Sequence, residues 1–170
     1  RAPEDELDLA PMSDGGPGFV TCLHESLGGE LRSVSVTGPT GQRVTATYLV
    51  VDSTAYLESA SAIGLHLVDL ARVDSSSAES ATSLGLGELP RDALSQSVTR
   101  VVVGVGGTAT NDGGAGLLAG LGATAVGGDL LGGAAGLQGI GSVDLGLARK
   151  SLSGVELVLA SDVDSQLSGL

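Results

Sequence analysis

Tryptophan is absent from this chain, phenylalanine occurs once and tyrosine twice, so aromatics make up only 2% of its 170 residues. A core must therefore be assembled from Val, Leu, Ala and Ile, and an apolar share of 42% is enough to build one. Positive charge is equally scarce. The 8 Lys and Arg stand against 20 Asp and Glu, for a net charge of −12, and Lys150 is the single lysine. A surface this acidic repels phosphate backbones and anionic lipid headgroups, which excludes nucleic acid and membrane surfaces as partners. Any phosphate chemistry must then rest on backbone amides, arginines, metal ions or groups outside the chain. The lone Cys22 forms no internal disulfide and, with His24 and His66 placed as they are, no zinc site; it reads as a small apolar side chain on a helix. No apolar run approaches the roughly 18 residues that span a bilayer. The acidic opening RAPEDELDLAP is the opposite of a basic-then-apolar signal peptide, so a cytoplasmic protein is expected.

Glycine, by contrast, is abundant at 28 residues, without collagen period and clustered beside apolar runs, which suggests tight turns and close backbone approaches. The length suits one domain or pieces of two. Phe19, Val20, Leu23 and Leu27 recur at helical spacing up to Gly28-Gly29, a C-terminal stop. Alternating patterns predict strands in LRSVSVTG and RVTATYLVV, joined by a turn at TGPTGQ, and a third in TAYLESA after Asp52-Ser53. Residues 74–83 read as a loop or weak helix. GELPRDALSQSV reads as a helix after Gly87, with Pro90 tolerable only in its first turn. RVVVGVGG is a β-branched run of the kind buried on both faces of a parallel sheet, and VELVLA reads as a second buried strand. Helices alternate with strands, so the class is α/β; the consecutive strands from Leu31 onward point to a mixed-sheet region as well.

Three polar segments stand where chemistry is expected. Residues 104–116, GVGGTATNDGGAG, lie between a buried strand and a helix, and ligands of open α/β sheets bind at the carboxyl ends of strands. Gly106 and Gly107 let successive N–H groups turn toward an anion, Thr108 and Thr110 offer hydroxyls, and Asn111 and Asp112 offer metal-seeking or proton-accepting oxygens. No Gly-Lys-Ser/Thr is present, so this is not a Walker A loop. A loose G-x-G-x-x-A match at Gly104, Gly106 and Ala109 leaves a dinucleotide fold as an alternative, and an unliganded Gly-rich connection as another. The second segment, Ser13-Asp14-Gly15-Gly16, precedes the first helix, where Asp14 either caps that helix or joins a shared site. In the third, Asp162 and Asp164 follow VELVLA at i and i+2. They can share a cation if the strand continues, and otherwise form an exposed turn.

Six motifs in order resemble those of the bacterial glycerate kinases of the first type: PMSDGGPG at 11–18, TGPTG at 37–41, TAYLESASAIGLHLV at 54–68, TSLGLGEL at 82–89, GVGGTATNDGGAG at 104–116 and LASDVD at 159–164. Ser165-Gln166 stand where the family's Asn-Pro is usual, and Leu84 replaces a common Tyr. The resemblance implies a Rossmann-like parallel sheet with part of a second, mixed-sheet α/β region. Residues 1–30 would be a piece of the Rossmann-like domain and 31–170 the remaining α/β portion, with a first strand and helix and a long C-terminal part of the family fold missing. The implied reaction is ATP plus D-glycerate to phosphoglycerate (the 2-phosphate is expected) plus ADP, with Mg²⁺ screening the phosphates and this chain inactive alone. The implied roles put Gly106, Gly107, Thr108 and Thr110, with Gly15 and Gly16, around an anionic group. Asn111, Asp112 and Asp14 would stand at the reacting centre, and Asp162 and Asp164 would ligate the metal. Glu58 and Glu88 are expected to be structural. The alternative is a non-catalytic or decayed fragment that binds a small organic acid or nothing.

Overall fold

The computed structural model describes residues 9–71 and 74–162. Helix α1 (Phe19–Leu27) ends at Gly28, and strands β1 (Glu30–Thr37) and β2 (Arg43–Val51) pair antiparallel, Val36 opposite Val44. Their turn closes where the Gly38 N–H donates to the Gln42 carbonyl at 2.6 Å. A two-residue turn, with Asp52 at φ 52, leads into β3 (Thr54–Glu58). The predicted third strand is shorter than its motif. At Ser59 the chain enters helix α2 (Ser59–Ile63), whose small residues let it pack closely on its neighbours, and a single 3₁₀ turn follows at Leu65–Leu67.

The weak-helix reading near Asp74 corresponds to α3 (Ser75–Ser80), capped by the Asp74 carboxylate on the Ser77 N–H at 2.8 Å. Helix α4 (Leu84–Leu94) begins four residues before the predicted start after Gly87, so Pro90 lies in its interior instead of its first turn. The earlier start has a tertiary cause: Ser83, just ahead of the helix, is gripped by a carboxylate 29 residues away, as described below.

Strand β4 (Arg100–Gly104) feeds a polar loop and then α5 (Ala115–Gly120). A two-stranded antiparallel ribbon of β5 (Thr124–Val126) and β6 (Ser142–Asp144) brackets α6 (Gly133–Gly136). Helix α7 (Gly146–Ser151) then leads to β7 (Glu156–Ala160). No helix among the described residues is long and apolar enough to cross a membrane.

The α/β class is observed, and the antiparallel and parallel strands join in one five-stranded mixed sheet of order β1-β2-β3-β4-β7. The first three strands are antiparallel, while β3, β4 and β7 run parallel. One face carries the main core, where Tyr48, Leu57, Ile63, Leu89 and Val101 meet beneath α2 and α4. The other face is covered by α1, whose Phe19 and Val20 bury against Leu49. A smaller cluster under α5 and α7 holds Leu121, Ala123 and Ala148. The expectation that VELVLA is buried is corrected: Leu157 and Leu159 are 49% and 65% exposed, because β7 is the sheet's outermost strand among the described residues.

Glycine sets the packing of α4. A Cβ on Gly85 would run into the Thr37 carbonyl, and one on Gly87 would strike the Leu117 carbonyl and lie 2.9 Å from the Gly120 Cα. The run SLGLGEL thus lets a helix backbone touch both the end of β1 and the flank of α5, closer than any side chain permits.

Candidate functional site

Strands β3, β4 and β7 end level with one another, since Glu58 is in register with Gly104 and Gly104 with Ala160. These are carboxyl ends of parallel strands, the edge at which open α/β sheets bind ligands. The loop 105–114 leaves β4 here. It is pinned at several points along its first half: the Val105 N–H donates to the Ala160 carbonyl at 3.0 Å, the Leu65 N–H to the Gly107 carbonyl at 3.0 Å, and the Ala109 N–H to the Ile63 carbonyl at 2.8 Å.

Residues 13–18 lie across the same edge. Gly15, at φ 87, faces the Ala160 carbonyl so closely that a Cβ would stand 2.5 Å from it; a Cβ on Gly106 would stand 2.7 Å from the Gly16 Cα. Pro17 packs on Gly107. The Gly15-Gly16 turn and the glycines at 104 and 106, about 90 residues apart in sequence, therefore meet backbone to backbone where only glycine fits, while at Gly113 and Gly114 of the second Asp-Gly-Gly segment nothing lies within 4 Å of a Cβ.

Asp14 and Asp112 border different clefts. Asp14 is exposed, its Oδ1 accepting the Gly16 N–H at 2.8 Å, and it lines a cleft of about 480 Å³ with Met12, Ser13, Pro17 and Cys22. Asp112 is 2% exposed and borders a different cleft, of about 700 Å³, with Thr108, Thr110, Asn111 and Leu117. Its Oδ2 accepts from the Ser83 N–H at 2.8 Å, the Ser83 hydroxyl at 2.9 Å and the Gly116 N–H at 3.1 Å, and its Oδ1 from the Gly114 N–H at 3.0 Å. Four donors on one buried carboxylate leave little capacity for a ligand.

This arrangement also decides which donors remain for an anion. In α5 the Gly114 and Gly116 N–H groups serve the Asp112 carboxylate, Ala115 the Asp112 carbonyl and Leu117 the Ser83 hydroxyl. In α1 the Gly18 and Val20 N–H groups serve the Glu58 carboxylate, at 3.0 and 3.3 Å. Both helix N-termini are thus neutralised internally. The N–H groups of Gly106, Gly107, Thr108, Thr110, Asn111 and Gly113 have no acceptor among the described residues, and neither do the side chains of Thr108, Thr110 and Asn111. The available donors lie on the loop itself.

Asp162 follows Ala160 in an exposed bend at this sheet end, and Asp164 lies outside the described residues. Among the described residues no group of three or more His, Cys, Asp or Glu side chains is arranged to hold a metal. Glu88 accepts the Thr37 N–H at 2.6 Å and pairs with Arg43 at 3.4 Å, tying α4 to β1. Two participants were not among the sequence-level site candidates. Ser83 carries only a helix-entry signal. Glu58 is the single charge ending the otherwise uncharged strand TAYLE.

Compared with known proteins, the chain matches the model of the glycerate kinase family over residues 1–170. It is 38% identical over 164 residues to the glycerate kinase of Bacillus subtilis, covering 94% of this chain and 42% of that protein. To the glycerate 2-kinase of Escherichia coli it is 35% identical over 172 residues, covering 98% of this chain and 44% of that one. The crystal structure of a candidate glycerate kinase 2 from Salmonella typhimurium LT2 superimposes with a TM-score of 0.84 at 39% identity, over 93% of this chain and 43% of that one. The chain therefore spans about two fifths of the length of these relatives.

Proposed function

Because the chain belongs to the glycerate kinase family, we propose that it supplies the phosphate-handling part of an ATP-dependent glycerate kinase of the cytoplasm, converting D-glycerate to phosphoglycerate, with the 2-phosphate as the expected product. The observation that carries this reading is the loop 106–113. It is anchored at the carboxyl end of the parallel strands and rich in backbone donors without an acceptor among the described residues. Phosphoryl transfer asks the protein mainly to position reactants and stabilise charge on the transferred group's oxygens. Preorganised amides do that without reorganising at the moment of reaction. The loop suits a chain this acidic, since it binds an anion without needing lysine.

In this scheme the N–H groups of Gly106, Gly107, Thr108 and Thr110, with the Thr hydroxyls and the Asn111 amide, hold the transferring phosphoryl group. Gly15 and Gly16 bring the Asp14 loop against them. A Mg²⁺ ion bound with the nucleotide would screen its phosphates and would need only one or two protein carboxylates beside phosphate and water. The exposed Asp14 and Asp162, at the same sheet edge, suit that role. Asp112 is a positioning residue, its carboxylate consumed in holding the loop to Ser83 and α5. As the acceptor hydroxyl oxygen bonds to the γ-phosphorus, the bond to the ADP oxygen breaks and the hydroxyl proton passes to a carboxylate at this edge.

The 170 residues by themselves are expected to give no turnover, since phosphoryl transfer needs a site closed against water. ADP release should be followed with D-glycerate, Mg²⁺ and ATP, first on the chain alone. It should then be followed on the chain fused to the remaining part of the Bacillus subtilis relative. Turnover by the fusion and not by the chain is the expected pair of results. Failure of a folded fusion to release ADP would count against the assignment, and ordinary turnover by the chain alone would show that it needs no further wall.

A further inference from the structure

Glu58 is 9% exposed at the end of β3, and only half of its carboxylate is used. Oε2 takes the Gly18 and Val20 N–H groups. Oε1 has no partner among the described residues, and Glu58 lines a cleft of about 350 Å³. That cleft lies between the first turn of α1 and the β1–β2 strands. Its other polar walls are Thr21, Thr45, Thr47, Ser61 and His66. Ser61 donates to the Glu58 carbonyl at 2.8 Å and Thr47 shares a hydrogen bond with Ser33 at 2.9 Å, while the hydroxyls of Thr21 and Thr45 are unpartnered among the described residues.

A largely buried carboxylate oxygen without a donor is costly, and the group that satisfies it must bring an O–H or N–H. An anionic oxygen placed directly against Oε1 would be repelled, so the charged end of a ligand must lie away from it. A neutral hydroxyl fits, flanked by further hydroxyls, and an imidazole on the same cleft can donate to a carboxylate. The cleft also adjoins the phosphate loop. The Ser59 hydroxyl donates to the Gly106 carbonyl at 3.4 Å, and the Gly18 N–H that Glu58 holds follows Pro17, which packs on Gly107.

We propose that this cleft is the subsite for the acceptor substrate, a small polyhydroxy acid, with a hydroxyl donating to Glu58 Oε1 and the acid's carboxylate accepting from the His66 ring. The assignment rests on the glycerate kinase reading and names the place in this chain where the acceptor sits. It makes Glu58 a substrate-binding residue in addition to a cap of α1.

Glu58→Gln separates the two roles. The glutamine oxygen can still accept from Gly18 and Val20, while its NH₂ group turns a donor toward the cleft where an acceptor stood. The experiment is a titration of the ¹⁵N-labelled 170-residue chain with D-glycerate, and separately with inorganic phosphate, read at individual amides. D-glycerate should shift Gly18, Val20, Thr21 and His66 saturably. Binding should weaken about tenfold or more in Glu58→Gln, the scale of one hydrogen bond to a charged group. His66→Ala, at an exposed position, should weaken it several-fold and guards against misfolding of the first variant. Phosphate should move the amides of 106–113 and leave the Glu58 cleft unchanged. Equal affinity in wild type and both variants would overturn the proposal. D-glycerate shifts confined to 106–113 would overturn it too, while leaving the kinase reading standing. A folded chain whose amides move nowhere would remove the subsite from this chain, with ADP release by the fusion deciding the kinase reading separately.

Discussion

The carboxylate of Asp112 accepts hydrogen bonds from both the N–H and the hydroxyl of Ser83, at 2.8 and 2.9 Å, joining the entry of α5 to the entry of α4 across 29 residues of sequence. Asp112→Asn replaces one acceptor oxygen with a donor that faces N–H groups. It should destabilise the chain by about 2–4 kcal/mol, from lost charge-assisted bonds plus an opposed donor. Ser83→Ala should cost about 1–2 kcal/mol by the same reasoning. Chemical denaturation of the isolated chain measures both. An Asp112→Asn chain as stable as wild type would return Asp112 to the reacting centre.

Gly85 and Gly87 should resist substitution for a different reason from Gly113. Alanine is intrinsically favoured over glycine inside a helix by about 1 kcal/mol. Gly85→Ala and Gly87→Ala should nevertheless destabilise by about 2 kcal/mol or more, because each Cβ meets a backbone carbonyl that cannot move aside. At Gly113 no atom lies within 4 Å of a Cβ, and only φ +61 opposes it, so Gly113→Ala should cost about 1 kcal/mol. Equal effects at the three sites would show that α4 is not packed through its backbone.

Tyr48 gives stability an alkaline limit. Burial first, then the hydrogen bond to Asp92 at 2.8 Å and that group's charge, push its phenol well above the ordinary value of 10.0. A folded-state value above the unfolded one means that the contribution is complete below about pH 10 and fades as pH rises further. Phenolate absorbance from Tyr48 should therefore appear together with the loss of circular dichroism. Tyr48→Phe identifies its share of the signal. Ionisation of Tyr48 in a chain with native dichroism would contradict this.

Asp74 behaves in the opposite sense. The Ser77 N–H, then the Ser77 and Ser76 hydroxyls, lower its carboxyl from 3.8 to about 2. A depressed folded-state value means that the cap of α3 is fully held above about pH 4 and lost as pH falls toward 2. Carboxyl ¹³C titration should place the Asp74 midpoint near 2, and Ser77→Ala should raise it. A midpoint near 3.8 in the intact chain would mean that the cap does not form in solution.

Much of this protein is determined locally and could be read before any coordinates. The apolar spacing of Phe19, Val20, Leu23 and Leu27 with Gly28 behind them makes α1, and the valine run before Gly104 makes an interior strand followed by a glycine loop and a helix. These features depend on neighbours a few residues away, which is the range of helical and strand periodicity. What the tertiary structure alone decided is how groups distant in sequence share donors and space. Pro90 became a helix-interior residue because Asp112 holds Ser83 and starts α4 early. Leu157 and Leu159 stand exposed because a strand's burial belongs to its neighbours in the sheet as well as to its own apolar residues. Asp112 and Glu58, equivalent as carboxylates in the sequence, differ because one is saturated by four donors and the other lines a cleft with one oxygen unpartnered among the described residues. Hydrogen-bond capacity is allotted in three dimensions, so a motif can announce that a carboxylate matters without saying whether it holds the chain or the ligand.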